Sequence, residues 1–302
     1  MGPARVAGAV SGRYGPNAGE GSESMTAGSG SGDVKSLYPD EAKEFIDEHK
    51  EGTYLLLDVR QPTEYEQGHL PGAQLIPLPS LPDSIGGLDR KRPVLVYCAV
   101  GGRSATAASF LAHHGFSEVY QLLGGIQAWE QPTAANPVKF HLEFASGRES
   151  PREAVLLAYA MEQGMLDFHE AVRVRTTEPD LADLLVKLVR AEESHKKTLR
   201  ELLRQHAPDE PPPEDVPGGS SRIMEGGLDI QDFMKQNESF MKTTAGYLDI
   251  AMMVESQALD LYLRMGAASS NEKTRRILFH IADEEKAHLS MLAELLEKKM
   301  SA

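Results

Sequence analysis

The stretch PVLVYCAVGGRSATAASFLAHHG, residues 93–115, joins an apolar run, a glycine-rich turn and a helix-like segment without a break. The run PVLVYCAV is typical of a buried β-strand, and RSATAASFLAHHG is typical of a helix. Cys98, the single cysteine of the chain, falls where the strand ends. This order predicts a strand–loop–helix unit with a thiol in its loop, as found in α/β proteins with a parallel sheet.

The flanking residues repeat the alternation of strand and helix. A helix-like segment, PDEAKEFIDEHK, precedes the apolar strand TYLLLDV, and the strand EVYQL precedes the helical start GIQAWE. Such alternation indicates a parallel sheet covered by helices on both faces. We therefore predict an α/β domain over residues 33–131.

The segments on either side of this domain differ from it in composition. Residues 1–32 are rich in Gly, Ser and Ala, and too little apolar surface is present to offset the entropy of ordering them. They are predicted to be disordered, and translation could begin at Met25 within them rather than at Met1. The stretch QPTAANP at residues 131–137 has the composition of a linker, and residues 132–150 are predicted to form one.

Bulk composition limits the classes of function. A hydrophobic content of 41% and a charged content of 25% are typical of a soluble globular protein. No apolar run approaches the roughly 18 residues of a membrane span. The net charge of −14, without a basic cluster, argues against nucleic acid as a partner. One cysteine cannot form an intramolecular disulfide, which is consistent with a cytoplasmic protein. Together, these features lead us to expect a cytoplasmic protein that binds neither membranes nor nucleic acid.

Cys98 has two interpretations. Its sulfur lies at a predicted helix N-terminus, where Gly101 and Gly102 let several backbone N–H groups converge. Such donors, together with the helix dipole, lower the pKa of a thiol and stabilise the thiolate. The alternative is a buried and inert cysteine, which is the commoner fate of a lone cysteine after an apolar strand. The loop by itself leaves both interpretations open.

Three motifs together resemble the rhodanese family, in the order in which that family has them: LLLDVRQPTEYEQGHLPGA at 55–73, YCAVGGRS at 97–104 and LLGGIQAWE at 122–130. The resemblance implies a sulfurtransferase whose cysteine carries sulfane sulfur as a persulfide. By position, it makes Cys98 the nucleophile and Arg103 the residue that closes the loop around it. The other residues of the substrate-binding loop would be Ala99, Val100, Gly101, Gly102 and Ser104.

The same resemblance bears on loop length and on the substrates. Four residues separate Cys98 from Arg103, the spacing of sulfurtransferases, whereas the related phosphatases have one residue more. The loop has no lysine and one arginine, so a strongly anionic donor such as thiosulfate gains little electrostatic help. A persulfide or thiosulfate donor and a thiol or cyanide-like acceptor are implied. Asp58, Arg60 and His69 are implied to be structural partners rather than catalytic groups.

Beyond Pro151 the hydrophobic period changes to that of helices. Amphipathic helices are predicted near residues 151–174, 179–206, 240–267 and 271–300. The second and third are separated by HAPDEPPPEDVPGGSS, whose prolines and glycines forbid a helix. Short first and last connections with a long middle one predict a ferritin-like four-helix bundle over residues 151–302.

Two Glu-x-x-His pairs, Glu192–His195 and Glu285–His288, lie in this half. Residues three apart share a helix face, so each pair can present an oxygen and a nitrogen to one metal ion. A single pair of this kind on a charged helix is more often solvated surface. Whether these pairs bind metal or are solvated surface therefore depends on the other residues that the helices carry.

Each candidate ligand has a counterpart 93 residues away in an ungapped two-helix repeat. The counterparts are Glu162 and Glu255, Glu192 and Glu285, and His195 and His288. Four buried carboxylates without partners would be very costly, and two divalent ions would offset their charge. Oxygen-rich ligation with one histidine per metal suits iron or manganese better than a structural zinc. The repeat therefore predicts a dinuclear carboxylate site.

The repeat and its motifs resemble the rubrerythrin branch of the ferritin-like superfamily over about residues 151–300. The resemblance implies two iron ions that react with peroxide or oxygen, the same six ligands, and a homodimer. Rubrerythrin proper adds a four-cysteine iron–sulfur module that this chain cannot build, and a further glutamate at the metals that cannot be assigned here. An external electron-transfer protein is therefore expected as a partner.

The sequence thus predicts a rhodanese-like α/β domain followed by a ferritin-like bundle, and an enzyme that combines sulfur transfer with peroxide or oxygen reduction. A hypothesis of a different class is a sulfur or redox sensing protein whose metal-bound bundle is structural or dimerising. The missing electron-transfer module favours the second hypothesis, and the intact ligand set favours the first.

Overall fold

The structure is a computed structural model that describes residues 33–135, 148–206, 208–209, 223–224 and 228–300. The segment 1–32 that is predicted to be disordered, most of the predicted linker, and most of the loop between the second and third predicted helices lie outside the described residues. Among the described helices, none combines the length and apolarity that a membrane span requires.

A five-stranded parallel sheet forms the first part of the fold. Its strands are β1 (Val34–Leu37), β2 (Leu55–Asp58), β3 (Gln74–Leu75), β4 (Val94–Tyr97) and β5 (Val119–Leu122). They lie in the order β1-β5-β4-β2-β3, and all pairs are parallel. The helices of this part are α1 (Pro39–Glu48), α2 (Pro62–Gln67), α3 (Leu81–Ser84) and α4 (Gly102–His113). Because β4 is the central strand and is buried along its length, Cys98 emerges at the middle of the sheet's carboxyl edge.

Apolar side chains cover both faces of this sheet, as the period of two along each strand requires. Leu57 and Val96 pack with Leu111 of α4 on one face. Leu56 and Leu95 belong to the cluster on the other face, which includes side chains of α1. The predicted α/β class with a covered parallel sheet is confirmed.

The second part is helical. Its long helices are α5 (Pro151–Arg173), α6 (Pro179–His206), α8 (Thr244–Ala268) and α9 (Glu272–Met300), and α5 packs chiefly on α6 as α8 does on α9. Between α6 and α8 lie β6 (Ile223–Met224), β7 (Leu228–Asp229) and α7 (Ile230–Gln236), none of which was predicted. The helical character predicted for this part is confirmed.

The start of α8 differs from its prediction near residue 240. Phe240–Lys242 form a separate 3₁₀ turn, and Thr243 caps the helix by accepting a hydrogen bond from the Gly246 N–H. A threonine in extended conformation at this position ends the preceding turn and satisfies a free donor of the new helix. The hydrophobic period runs through the cap, so periodicity could not locate it.

The two parts pack directly against each other. Gly52 and Gly72 both have positive φ, and a Cβ atom on them would collide with Phe279 and Leu263 respectively. Lys286 of α9 donates hydrogen bonds to carbonyl oxygens at the end of α1 and to a Glu51 carboxylate oxygen 2.8 Å away. The sheet domain and the helices α8 and α9 are therefore closely fitted.

Asp260 of α8 supplies the buried polar contact of this interface. Its Oδ1 accepts a hydrogen bond from the Gly72 N–H at 2.9 Å and lies 3.3 Å from His69 Nε2. Its Oδ2 lies 2.8 Å from Arg264 Nε. The motif GHLPGA, which resembles a family motif of the first domain, thus makes contact with the second.

We expect Asp260→Asn to lower the free energy of unfolding by about 3 kcal/mol at neutral pH, because breaking a buried ion pair leaves its partners unpaired. Burial raises the pKa of Asp260, yet the contacts of His69, Arg264 and Gly72 outweigh it and hold the pKa below its usual value. The stabilisation is therefore present above the unfolded pKa of about 4 and is lost as the pH falls through the folded value. Urea unfolding at several pH values measures this.

The control is Asp249→Asn, which changes an exposed aspartate on the same helix. It should leave stability within about 0.5 kcal/mol. Equal urea midpoints for the two variants would contradict the assigned role of Asp260.

Candidate active site and metal-ligand cluster

The Cys98 loop is shaped by one glycine. Gly101 has φ +109°, a left-handed conformation that side chains disfavour, and it precedes the first residue of α4. This conformation brings the Gly101 N–H to 3.1 Å from Cys98 Sγ, and Ser104 Oγ lies 3.5 Å from the same sulfur. Cys98 is 1% exposed, so its sulfur is enclosed by the loop and the first turn of the helix.

The third motif, LLGGIQAWE, supports the loop through backbone hydrogen bonds. The N–H of Ile126 donates to the Cys98 carbonyl at 2.9 Å, and the N–H of Gln127 donates to the Ala99 carbonyl at 3.1 Å. Gly125 lies so close that a Cβ atom would collide with the backbone of Cys98 and Ala99. The glycine is needed at this position because two backbones meet there.

Burial of Cys98 raises its pKa, but hydrogen bonds from Ser104 and from the Gly101 and Val100 N–H groups outweigh burial and lower the pKa below the ordinary value. In the structure the Ser104 hydroxyl donates to the Gly101 carbonyl at 2.9 Å. When Cys98 is a thiolate, this hydroxyl can donate to Sγ instead. The loop therefore favours the nucleophilic form of the cysteine.

Alkylation of Cys98 by iodoacetamide should follow a pH profile with a midpoint below about 8.5, the value of a free cysteine. Ser104→Ala should move the midpoint upward, because it removes a hydrogen bond to the thiolate. Thr106→Ala, two residues later on α4 and exposed, is the matched control and should leave the midpoint where it is. A profile that Ser104→Ala does not shift would contradict the contribution of this hydroxyl.

Arg103 closes the loop, and its partner is Glu64 of α2. The guanidinium Nη1 and Nη2 atoms donate to the two carboxylate oxygens at 2.7 and 2.6 Å. This bidentate contact lowers the pKa of Glu64 to about 2. Hydrogen bonding to Glu64 and, to a lesser degree, the proximity of Cys98 raise the pKa of Arg103. Sequence analysis did not identify Glu64. As an acidic residue within the first motif, it could have been considered as an ion-pair partner for Arg103, the only cation of the loop.

The other predicted residues lie around this centre. Arg60 pairs with buried Asp58 at 2.7 Å and also donates to the Gly68 carbonyl at 2.6 Å, which joins the beginning of the first motif to its later GHLPGA segment. Ala99 lines a cavity of about 420 Å³ beside the loop, and Val100 is exposed at its tip. Of the predicted structural partners, the structure therefore places Asp58 and Arg60 beside the loop, whereas His69 contacts Asp260 of α8.

The six candidate metal ligands form two groups of three in the helical part. In the first group, His195 Nδ1 lies 2.9 Å from a Glu192 oxygen and 3.2 Å from a Glu162 oxygen. In the second group, His288 Nδ1 lies 3.3 Å from a Glu285 oxygen and 3.9 Å from a Glu255 oxygen. The ligand atoms of each group lie within 4.8 Å of one another.

The two groups adjoin at their histidines. The rings of His195 and His288 stack with centroids 3.8 Å apart. This contact follows the sequence repeat, since these two residues are counterparts in it. A single cluster of four carboxylates and two imidazoles results.

The residues of this cluster fit a pair of divalent metal ions. All four carboxylates are at most 4% exposed. Among the described residues, Glu255 Oε2 has no hydrogen-bond partner. Four buried carboxylates gathered in one cluster repel one another, and bound cations would relieve this repulsion.

A buried pair beside the cluster was not predicted from the sequence. His169 Nε2 lies 3.1 Å from a Glu192 oxygen, and His169 Nδ1 lies 2.5 Å from the Tyr247 hydroxyl. Burial raises the pKa of Glu192, but hydrogen bonds from His169 and His195 outweigh it and lower the pKa. His169 follows Glu162 by two helical turns and so shares its inward face, which was the available signal. It holds Glu192 in position.

Comparison with known proteins identifies similarities of the first domain. A rhodanese-like domain model matches residues 39–132. Thiosulfate sulfurtransferase GlpE of Stutzerimonas stutzeri is 35% identical over 97 residues, which cover 32% of this chain and 85% of that protein. The uncharacterized protein YqhL of Bacillus subtilis is 42% identical over 74 residues, which cover 24% of this chain and 59% of that protein.

A solved structure is also similar. The crystal structure of a rhodanese-like domain protein from Staphylococcus aureus is 30% identical, with a TM-score of 0.31, and the alignment covers 34% of this chain and 98% of that one. The family match includes the Cys98 loop and the three motifs and ends before the helical part. Through its rhodanese-like domain at residues 39–132, the chain belongs to the rhodanese family.

Proposed function

We propose that the rhodanese-like domain is a sulfurtransferase that carries sulfane sulfur as a persulfide on Cys98. The observation that carries this proposal is the Gly101 N–H at 3.1 Å from Sγ, at the start of α4, in a loop that lowers the pKa of the thiol. The family match and the sulfurtransferase relative support the class of reaction. The positions of the catalytic groups rest on the geometry of the loop.

The reaction has two steps. The Cys98 thiolate attacks the outer sulfur of the donor, so that a bond forms between Sγ and that sulfur while the donor's S–S bond breaks. The bonding electron pair leaves on sulfite if the donor is thiosulfate, or on a thiolate if the donor is a persulfide. In the second step, a thiol or cyanide-like acceptor takes the terminal sulfur and the Cys98 thiolate is restored.

The loop would serve both steps. Backbone N–H groups that converge on Sγ stabilise the thiolate before transfer and the anionic persulfide after it. Arg103 adds a positive charge at the loop's edge. The direct test is the mass of the intact protein after incubation with a donor, which should increase by one sulfur atom located on Cys98.

We further propose that the helical part is a ferritin-like, rubrerythrin-related bundle that holds two divalent metal ions. Glu162, Glu192 and His195 would bind one ion, and Glu255, Glu285 and His288 the other. The oxygen-rich donor set favours iron, with manganese as the alternative. Bound iron would supply redox chemistry towards peroxide or oxygen. Burial of the carboxylates and the stacked histidines supports this assignment.

The chain's own residues would shape that site. His169, itself held by the Tyr247 hydroxyl, fixes the orientation of Glu192. Buried methionines flank Glu162 along α5, Met161 directly before it and Met165 one turn after it. An external electron-transfer protein and a homodimer are proposed as partners on the resemblance alone. If metal binds and the centre reacts with neither peroxide nor oxygen, the sensing or structural role is the better account of the bundle.

A further inference from the structure

We propose that Glu64 determines the donor specificity of the Cys98 site and biases it towards thiol persulfides and against thiosulfate. This inference rests on the proposed sulfurtransferase function. Its basis is that Glu64 neutralises the one cation of the loop. Three features of the site support it: the geometry of the ion pair, the charges around the adjoining cavity, and the charge that each donor brings.

The ion pair between Glu64 and Arg103 uses both carboxylate oxygens. The two N···O distances of 2.7 and 2.6 Å match the planar bidentate arrangement that makes arginine–carboxylate contacts strong. Both side chains are about one-third exposed, so the pair lies at the mouth of the loop rather than in the core. Glu64 therefore orients the Arg103 guanidinium towards its own carboxylate. It also offsets the positive charge of Arg103 at the place where a donor would approach the loop.

The cavity of about 420 Å³ beside the loop has no surplus of positive charge among its described lining residues. Arg60 is its one lining cation and is already paired with Asp58. Glu64 and Glu130 also line the cavity, and Glu130 is exposed. With Arg60 paired to Asp58 and Glu64 paired to Arg103, Glu130 leaves the charged groups around the cavity with a net negative charge that disfavours a dianion.

The two donors differ in the charge that they bring to the thiolate. Thiosulfate is a dianion, so its reaction with the Cys98 thiolate assembles three negative charges and releases sulfite as a dianion. A protonated persulfide brings no charge at its reacting sulfur, and it releases a thiolate while Cys98 receives the S–H. An unpaired arginine would help the first reaction far more than the second, because the interaction energy scales with the product of the charges.

The size of the cavity agrees with this preference. Thiosulfate is a five-atom ion and has no organic portion to fill a cavity of this size. A volume of about 420 Å³ leaves room for the organic portion of an amino-acid persulfide next to Ala99. A zwitterionic donor such as cysteine persulfide could place its ammonium group near Glu130.

The test compares Glu64→Gln with the wild-type chain in cyanide-acceptor assays, using thiosulfate and cysteine persulfide as donors and subtracting the uncatalysed rates. The readout is the ratio of kcat/KM for thiosulfate to that for the persulfide. We expect the ratio to rise about tenfold, because Arg103 would be released to face the donor. The increase should shrink at high ionic strength.

Glu66→Gln is the matched control, since Glu66 is an exposed carboxylate on the same helix, and its ratio should stay at the wild-type value. Glu64→Ala is a second variant that removes the carboxylate, and its ratio should rise as well. The ratio cancels losses of active protein that affect both donors equally. An unchanged or lower ratio in the two Glu64 variants would overturn the inference. A wild-type chain that transfers sulfur from neither donor would instead refute the proposed function itself.

Discussion

Cys98→Ser is expected to lower kcat/KM for sulfur transfer by on the order of 10³-fold or more, the scale seen when a catalytic nucleophile is removed. The serine hydroxyl stays protonated at neutral pH and cannot form a persulfide. The backbone N–H groups that lie around Sγ would remain in place, so the loss can be assigned to the missing sulfur. Donor-to-cyanide transfer, measured with either donor, gives the result.

The variant's folding is the control for this prediction. Serine is slightly smaller than cysteine and sits where Ser104 Oγ and the Gly101 N–H can bond to it. The unfolding midpoint and the metal content should therefore remain close to those of the wild-type chain. A Cys98→Ser protein that keeps more than about a tenth of the activity would contradict nucleophilic catalysis by this residue.

The helical part is expected to bind two divalent ions per chain, in line with its two ligand groups. Manganese(II) is a suitable probe, because its binding can be followed by titration and by unfolding without redox chemistry. A ligand that binds only the folded state raises the free energy of unfolding by about 4 kcal/mol at a thousand times its Kd. Relief of repulsion among the buried carboxylates is the physical source of this gain.

The double variant Glu285→Ala/His288→Ala should bind at most one ion, since it removes two ligands of the second group. The matched control is Glu272→Ala/Arg276→Ala, which removes an exposed ion pair near the start of α9 whose residues are not among the six candidate ligands. The control should still bind two ions. Equal stoichiometry in both double variants, or no change in stability with manganese, would contradict the metal assignment.

The elements that follow local rules were predictable from the sequence. The strand, glycine turn and helix around Cys98 form a contiguous unit, so local pattern is sufficient to place the thiol at the start of α4. The repeat offset of 93 residues indicated that the six candidate ligands occupy equivalent positions in two helix pairs, and the structure places them in two groups of three. Whether they bind metal remains a prediction.

The contacts that the sequence did not show are long-range. Glu64 meets Arg103 across 39 residues, and Asp260 meets the Gly72 N–H across 188 residues. Neither pair shares an element or a motif, so only the tertiary fold brings the partners together. His169 was missed for another reason: its counterpart in the repeat is Tyr262, and the comparison of the two halves therefore gave no sign of a histidine beside the cluster.

The mass of the intact protein after incubation with thiosulfate or cysteine persulfide, followed by peptide mapping, tests the central claim most directly. The proposed mechanism predicts a gain of one sulfur atom on the peptide that contains Cys98, its removal by cyanide, and no gain in Cys98→Ser. A wild-type chain that transfers sulfur to cyanide without ever carrying sulfur on Cys98, or a Cys98→Ser chain that gains the same mass, would contradict it.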